Sequence, residues 1–367
     1  MNYIISVDTE EISSLEYRHK NGRCAKISHD IFMKKALSLA ELGLRRTSPN
    51  PMVGCVIVKD NVVIGEGWHH EYGKPHAEIE ALNDAHEHFH DVRGSTVYVT
   101  LEPCSHHGKT GPCADRLVEE GVAEVVVAMT DPNPKVNGKG IKILQDSGIK
   151  VTLLNGKLEA AAKWLNRGFV FVHKYHRPFI TLKAAMSLDG KMCLDNGSSK
   201  WLTGTAARKK AHELRAENDA VLVGVGTVLS DDPELTVRDV AGFNPLRVVL
   251  DRKHRTPDNS KIFGSDEKFM FFDDDNLLTV LDKLVEAGVL TLMVEGGPTI
   301  LSEFLRRNLA DYVNFFYAPK ILGEGKGIDL GLKRYSVDEA VMLQNVKLTQ
   351  LDNDVLIEGR LTCSPDL

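Results

Sequence analysis

The stretch that decides the fold reads TLEPCSHHGKTGPC and runs from Thr100 to Cys113. Together with His76, which lies upstream, it offers one imidazole and the two thiols of Cys104 and Cys113. Zinc favours imidazole nitrogen and thiolate sulfur, and a catalytic zinc site has three protein ligands and an open fourth position. The sequence therefore predicts a catalytic zinc site with His76, Cys104 and Cys113 as its ligands.

The elements around these ligands support that prediction. His76 stands at the start of a predicted helix, Cys104 follows a predicted strand over residues 96–101, and Cys113 starts another helix. The positive end of a helix should depress the pKa of the Cys113 thiol and ease metal binding. The strand and helix ends would therefore bring the three ligands to one place.

Glu78 is a free carboxyl beside the predicted metal. Zinc lowers the pKa of bound water to about 7, and Glu78 is expected to take that proton and to protonate the leaving ammonia. The pattern matches the H-x-E…P-C-x-x-C signature of zinc deaminases, except that the eight residues from Ser105 to Pro112 separate the cysteines. From these residues alone, a structural zinc site remains open, as do two buried thiols without a metal. His106 and His107 could compete as ligands, but a role in the loop or in substrate contact is the favoured interpretation for them.

The composition narrows the class of protein. With 367 residues, 43% of them apolar and 26% charged, the chain is long enough for about two globular domains. Its net charge of −6 and lack of a basic run disfavour nucleic acid as the main ligand. Six cysteines are too sparse for a disulfide scaffold. Because neither a membrane-spanning run nor a signal peptide is evident, we expect a cytoplasmic enzyme without a membrane partner.

Strand and helix patterns alternate along the whole chain, which is typical of an α/β fold. A helix over residues 158–172 is predicted to close the first domain, and the polar segment 173–178 ends in proline as linkers often do. We therefore predict an N-terminal extension at 1–28, a first domain at 29–174 and a second domain at 175–367.

In the second domain, a predicted strand at 290–295 leads through Gly296 and Gly297 into a predicted helix at 298–306. Glycines between a strand and a helix N-terminus let a phosphate approach the backbone. The segment is not a G-x-G-x-x-G fingerprint, so it does not indicate an ordinary Rossmann domain. A tight turn without a ligand would have the same pattern.

Several motifs resemble one known family. TLEPCSHHGKTGPC, SPNPMVG (48–54), GWHH (67–70) and DPNPKV (131–136) resemble the deaminase half of the bifunctional pyrimidine deaminase/reductase of riboflavin biosynthesis. KAAMSLDGK (183–191), SKWLT (199–203) and GTVLSDDP (226–233) resemble its reductase half. The resemblance implies a cytidine-deaminase-like three-layer sandwich, followed by an α/β domain like dihydrofolate reductase. It also implies Zn²⁺ and NADPH as cofactors, and a homo-oligomer, either a dimer or a tetramer.

In that family the substrate is a 2,5-diamino-6-ribosylamino-pyrimidinone 5′-phosphate, which is deaminated before its ribose is reduced to a ribitylamino chain. The resemblance implies that Asn50 and His69 contact the substrate, with Lys109 and Asn133 near its phosphate or ribose. From the residues alone, Asn50 between two prolines could simply form a turn, and His69 could be a surface residue.

The resemblance also assigns residues of the second domain. Lys183 would be catalytic and polarise the sugar carbonyl or imine, although a lysine at a strand end is usually just solvated. Guanidinium groups suit phosphate, although from the sequence alone exposed helix or loop charges are the favoured interpretation of Arg215 and Arg238, and Trp201 could fill the core. The implied NADPH contacts are Ala185, Trp201, Thr227, Asp231, Gly297, Pro298 and Thr299, with another near Asp251-Arg252. The implied substrate contacts are Ser199, Arg215, Leu235, Arg238 and Glu295.

Two other functions remain as alternatives. One is a nucleic-acid base deaminase with an accessory domain, which the acidic balance and the Gly-Gly-Pro segment count against. The other is a non-catalytic module with a structural zinc and a nucleotide-sensing domain. A structural site has no use for a free carboxylate, so Glu78 separates this alternative from an enzyme.

Overall fold

A computed structural model describes residues 29–105, 111–134, 136–264, 268–274, 276–331 and 336–367. The predicted N-terminal extension at 1–28 lies outside these residues. The chain divides into two compact units, with the boundary between Tyr175 and His176. In the part of the chain that the structure describes, no helix has both the length and the hydropathy needed to cross a membrane.

The first unit is built on a five-stranded sheet with the strand order β2-β1-β3-β4-β5. Strand β1 runs antiparallel to both of its neighbours, whereas β3, β4 and β5 are parallel to one another. The carboxyl ends of β3 and β4 therefore lie at the same edge of the sheet. The strands are β1 (Gly54–Lys59), β2 (Val62–Trp68), β3 (Thr96–Val99), β4 (Glu124–Val127) and β5 (Lys150–Leu153).

Helices cover both faces of this sheet. A Cβ atom on Gly54 would collide with Ala36 of α1, and one on Gly67 would collide with Ala77 of α2. Gly67 pairs with Cys55, and neighbouring residues of a strand point to opposite faces, so α1 and α2 lie on opposite faces. The predicted three-layer sandwich is confirmed. The helices are α1 (His29–Glu41), α2 (Ala77–Glu87), α3 (Cys113–Glu119), α4 (Lys139–Asp146), α5 (Lys157–Leu165) and α6 (Arg167–Tyr175).

The single helix predicted over residues 158–172 is wrong, because the structure has the two helices α5 and α6 there. They meet at Asn166, whose side chain accepts a hydrogen bond from the Met52 N–H (2.8 Å) and donates one to the Met52 carbonyl (2.9 Å). The second helix continues to Tyr175, so residues 173–175 are helical and do not form a linker. Apolar periodicity could not reveal this break, since it depends on a contact distant in sequence.

The second unit contains an eight-stranded sheet with the strand order β10-β9-β8-β11-β6-β12-β15-β14. The strands from β10 to β12 are all parallel, and β15 runs antiparallel to both of its neighbours. The strands are β6 (Phe179–Met186), β8 (Ala220–Gly224), β9 (Leu246–Leu250), β10 (Phe269–Phe272), β11 (Thr291–Val294), β12 (Tyr312–Tyr317), β14 (Leu343–Leu351) and β15 (Asp354–Leu361), with β7 (Lys191–Cys193) and β13 (Lys326–Gly327) forming a separate ribbon.

Alternate residues of the central strands pack against different helices. Leu222 belongs to a core shared with α9 and α10, whereas Val221 and Val223 belong to a core shared with α7. The α/β class is therefore confirmed for this unit as well. Strands β12, β14 and β15 had not been predicted from the sequence. The helices are α7 (Thr205–Glu217), α8 (Val225–Asp231), α9 (Leu277–Glu286) and α10 (Pro298–Arg306).

Candidate active sites

The predicted metal ligands come together in the first unit. The Nδ1 atom of His76 lies 3.6 Å from the Cys104 sulfur and 3.4 Å from the Cys113 sulfur. All three ligand atoms lie within 4.8 Å of one another, and the Cys113 backbone N–H donates to the Cys104 sulfur over 3.3 Å. One imidazole and two thiols at this spacing are a donor set that zinc prefers.

The pKa values of the three side chains in this cluster also suit binding of a cation. A hydrogen bond with Cys104 raises the pKa of His76 to about 9. Hydrogen bonding from the Cys113 thiol lowers the pKa of Cys104 to about 4, and the same contact raises the pKa of Cys113. The expected depression of the Cys113 pKa by the helix end is therefore wrong, because this contact favours the thiolate at Cys104 instead. Cys104 is therefore the thiolate of the cluster, whereas His76 and the Cys113 thiol keep their protons. Because metal binding displaces such protons, zinc fits these residues.

Glu78 is the carboxyl next to this cluster. It lies in the first turn of α2, two residues after His76, and only 3% of it is exposed. Burial raises the pKa of Glu78 to about 7, and the negative charge of Cys104 contributes to that rise. A carboxyl whose pKa is close to neutral can both accept and donate a proton at working pH. The geometry thus fits the predicted role of proton carrier.

Asn50 and His69 lie beside the same cluster. His69 is 2% exposed, so the alternative of a surface histidine is wrong. Its Nδ1 lies 3.0 Å from the Pro75 carbonyl and its Nε2 lies 3.2 Å from the Asn50 amide nitrogen. Nδ1–H therefore donates to Pro75, and Nε2 accepts from Asn50. The ring contacts His76 edge-on, with centroids 5.5 Å apart, so a neutral imidazole connects Asn50 to the metal ligands.

The loop between the two cysteines is only partly described. His106, His107 and Lys109 lie outside the described residues. Asn133 is described, and its backbone N–H donates to the Asp131 carboxylate over 2.8 Å. Its predicted contact with the substrate remains a prediction.

The second unit has its own cleft, of about 1410 Å³. It lies at the carboxyl ends of the parallel strands, where open α/β sheets bind their ligands. Every residue predicted for the second domain lines it: Lys183, Ala185, Ser199, Trp201, Arg215, Thr227, Asp231, Leu235, Arg238, Glu295, Gly297, Pro298 and Thr299. The structure thus brings the predicted cofactor and substrate residues to one place, while the role of each residue remains a prediction.

A trio of charges lies at the base of this cleft. The Glu295 carboxylate contacts Nε and Nη2 of Arg215, the latter over 2.9 Å, and lies 3.4 Å from Nζ of Lys183. Burial by itself raises the pKa of Glu295, but Arg215 and Lys183 outweigh burial and hold it at about 2. Because Arg215 is mostly buried, the exposed-charge alternative is wrong for it. Arg238 is 46% exposed and pairs with Glu234 at the rim.

The glycine segment and Trp201 form other parts of the cleft. Gly297 caps α10, and its N–H donates to the Thr227 hydroxyl over 3.0 Å. Trp201 is 66% exposed and stacks on Arg208, whose guanidinium carbon lies 4.8 Å from the ring centroid. The core alternative for Trp201 is therefore wrong, and its ring is available to a ligand.

Among the cleft residues that the sequence analysis did not single out are His212 and Arg255. His212 precedes Arg215 by one helical turn, and its Nδ1 lies 3.1 Å from the Thr236 carbonyl. Arg255 lies in the loop after β9 and also lines the cleft. The i, i+3 spacing of His212 and Arg215 was a usable signal, whereas nothing in the sequence distinguished Arg255 from a surface charge.

Replacing Arg215 with methionine is expected to destabilise the second unit by about 3–5 kcal/mol, because it removes the main partner of a buried carboxylate. The depressed pKa of Glu295 stabilises the native chain above the unfolded pKa of about 4.3. That contribution is lost as the pH falls toward about 2, and the variant should lack most of it. Chemical denaturation of both chains at several pH values measures the difference.

Arg238→Met is the matched control, since its ion pair is half-exposed and such pairs contribute at most about 1 kcal/mol. Equal losses of stability in the two variants would contradict the assignment of a buried charge trio.

The two halves of the chain match two family descriptions. Residues 26–129 match the cytidine and deoxycytidylate deaminase zinc-binding region. Residues 178–357 match the RibD C-terminal domain. The zinc cluster lies within the first match, and every predicted cleft residue lies within the second.

Relatives match over nearly the whole chain. The riboflavin biosynthesis protein RibD of Aquifex aeolicus is 42% identical over 350 residues, which cover 89% of this chain and 96% of that protein. RibD of Acinetobacter baumannii has a TM-score of 0.84 and 38% identity, covering 90% of this chain and 98% of the other. The Thermotoga maritima diaminohydroxyphosphoribosylaminopyrimidine deaminase/5-amino-6-(5-phosphoribosylamino)uracil reductase has a TM-score of 0.82, 41% identity and the same coverage.

Proposed function

The chain belongs to the RibD family of riboflavin biosynthesis proteins, and on that premise we propose which reactants its two sites take. It is a bifunctional enzyme, a zinc-dependent deaminase and an NADPH-dependent reductase. The first site deaminates 2,5-diamino-6-ribosylamino-4(3H)-pyrimidinone 5′-phosphate, and the second reduces the ribose of that product to the ribitylamino phosphate. The observation that supports this most is the buried Glu78 beside His76, Cys104 and Cys113.

In the deaminase site, His76, Cys104 and Cys113 would hold the metal. When bound, zinc supplies a water molecule with a pKa of about 7. Glu78 would hold the proton of the attacking water and pass it to the leaving amino group, a role that suits its own pKa of about 7. The amide of Asn50, held by Nε2 of His69, would bind the pyrimidine next to that carboxyl, and His69, whose ring nitrogens bind Pro75 and Asn50, would contact it through the ring.

In the reductase site, NADPH supplies the hydride. Gly297, Pro298 and Thr299 would hold its pyrophosphate at the positive N-terminal end of α10, where the Thr299 N–H is a backbone donor, while the Gly297 N–H binds the Thr227 hydroxyl. Ala185, Trp201, Thr227 and Asp231 contact the rest of the cofactor.

The substrate binds in the same cleft, with its phosphate held by Arg215 and Arg238. Lys183 donates a hydrogen bond to the sugar carbonyl or imine and so favours hydride addition at the sugar carbon. Glu295 holds the Lys183 ammonium in place over 3.4 Å. Ser199 and Leu235 complete the substrate side of the cleft.

The finer predictions about partners and domains belong to the same proposal. The domains extend over 29–174 and 175–367, after an extension at 1–28. The ligands are small molecules, with no nucleic acid or membrane partner, and the protein is a cytoplasmic homo-oligomer. Light scattering after size exclusion would distinguish a dimer or a tetramer from a monomer.

One experiment tests both activities and their order. The purified chain is given the diaminopyrimidine phosphate with and without NADPH, and the products are identified by mass spectrometry. Without NADPH we expect an amine replaced by an oxygen function, and with NADPH we expect two further hydrogens on the sugar. An unchanged substrate under both conditions would contradict the proposal.

A further inference from the structure

Two neighbouring strands lead to the deaminase site. Strands β3 and β4 are parallel, so the segments that follow them begin at the same edge of the sheet. The first segment contains Glu102, Pro103 and the metal ligand Cys104. The second leads into the loop at residues 131–138, of which the structure describes 131–134 and 136–138. The backbone N–H of Glu102 donates to the Met129 carbonyl over 3.0 Å. The loop therefore starts directly beside the segment that carries Cys104.

A single buried carboxylate, that of Glu102, binds both ends of this loop, and only 3% of Glu102 is exposed. Its Oε2 accepts hydrogen bonds from the backbone N–H groups of Asp131 (3.2 Å) and Gly138 (2.9 Å). Its Oε1 accepts from those of Gly140 (3.0 Å) and Ile141 (3.3 Å). Asp131 and Gly138 lie at the ends of the loop, and Gly140 and Ile141 lie in the first turn of α4, so this carboxylate fixes both ends of the loop and the start of the helix that follows it.

Close backbone packing adds to this attachment. A Cβ atom on Gly140 would lie 1.9 Å from the Pro103 carbonyl oxygen, so only glycine allows this approach. Gly140, in the first turn of α4, therefore packs against Pro103, the residue that precedes Cys104. Glu102 and Gly140 together hold the loop and the metal-binding segment at a fixed separation.

We propose that Glu102 is a positioning residue for deamination, fixing the 131–138 loop beside the metal ligands so that the loop meets the ribosyl-phosphate side of the substrate. This inference rests on the proposed function, which places Asn133 near the substrate phosphate or ribose. Glu102 itself contacts neither the substrate nor the metal. Its carboxylate acts through the backbone of the loop.

Glu102→Gln in the full chain tests the proposal, because the amide would direct a donor at two of the four backbone N–H groups. Losing hydrogen bonds to a charged acceptor costs about 1.5–3 kcal/mol, so we expect the KM for deamination to rise about tenfold or more. The value of kcat should change by less than about threefold, as for a change that affects binding alone. Zinc content and NADPH oxidation should remain those of the wild type.

Glu124→Gln is the matched control. Glu124 is the first residue of β4, the strand that leads to the 131–138 loop, and it lies at the end of that strand distant from the loop. Its carboxylate accepts a hydrogen bond from the Thr152 hydroxyl over 2.7 Å. The Glu124→Gln substitution should leave the KM for deamination unchanged. A Glu102→Gln chain with an unchanged KM would overturn the proposal, as would loss of zinc and kcat at an unchanged KM, since Glu102 would then support only the metal ligands.

If the Glu102→Gln chain does not fold, Gly140→Ala is used in its place for the same measurement. It keeps the carboxylate but displaces the loop from Pro103, so the same rise in KM is expected, and an unchanged KM would again overturn the proposal. A wild-type chain that releases no ammonia from the diaminopyrimidine phosphate would instead contradict the proposed function. The two failures are therefore distinguishable.

Discussion

Glu78→Gln is expected to abolish ammonia release while zinc stays bound and NADPH oxidation continues. Glutamine keeps the shape of the side chain but cannot carry a proton, and a positioned acid–base group contributes about 10²–10⁴-fold to the rate. The metal should remain because its ligands, His76, Cys104 and Cys113, are untouched. Ammonia release, zinc content and NADPH oxidation with the deaminated intermediate are measured on one preparation.

Glu80→Gln is the control for this variant, since Glu80 lies in the same first turn of α2 but is not buried beside the cluster. It should retain deaminase activity. Ammonia release that persisted in Glu78→Gln would show that another group moves the proton. It would also favour a structural role for the metal.

The second large effect is expected for Lys183→Met, which should lower the rate of NADPH oxidation while leaving ammonia release unchanged. Removing one preorganised donor from a site of developing charge typically costs about 10²–10³-fold. Lys183 is the donor that Glu295 holds at the base of the cleft. Steady-state rates with the deaminated intermediate measure the loss, and the intermediate should accumulate when the variant receives the initial substrate.

Lys283→Met serves as the comparison, because this lysine is exposed on α9, outside the cleft. It should oxidise NADPH at the wild-type rate. Normal reduction by Lys183→Met would remove Lys183 from the mechanism. A loss of ammonia release in the same variant would mean that the substitution disturbs more than the reductase site.

The metal cluster could be predicted from the sequence because its evidence is local. His76, Cys104 and Cys113 each stand at the end of a strand or helix, and parallel strand ends bring such positions together. The spacing of residues around the two cysteines then indicated the family. Local evidence was weaker for the second domain, where Arg215, Arg238 and the Gly-Gly-Pro segment were assigned through the resemblance to the family.

The interactions that hold these sites in place could not be predicted in this way. In the sequence, Glu102 was recognised only as part of a motif and had no role of its own. Its partners lie distant in sequence and contribute only backbone N–H groups; they are Asp131, Gly138, Gly140 and Ile141. Composition and periodicity do not show which backbone N–H groups a side chain will bind.

The same limit applies to burial and to helix breaks. The environment of His69 and the helix break at Asn166 both depend on partners brought close by folding. Arg215 and Arg238 were equivalent as sequence features, yet one is buried against Glu295 and the other lies at the rim.

The most direct test of the account is removal of the metal from the wild-type chain. After chelation, with zinc loss verified by elemental analysis, we expect ammonia release to stop while NADPH oxidation with the deaminated intermediate continues. Added Zn²⁺ should restore ammonia release. Ammonia release by the zinc-free chain would contradict the account, because His76, Cys104, Cys113 and Glu78 would then not form a zinc-dependent deaminase site.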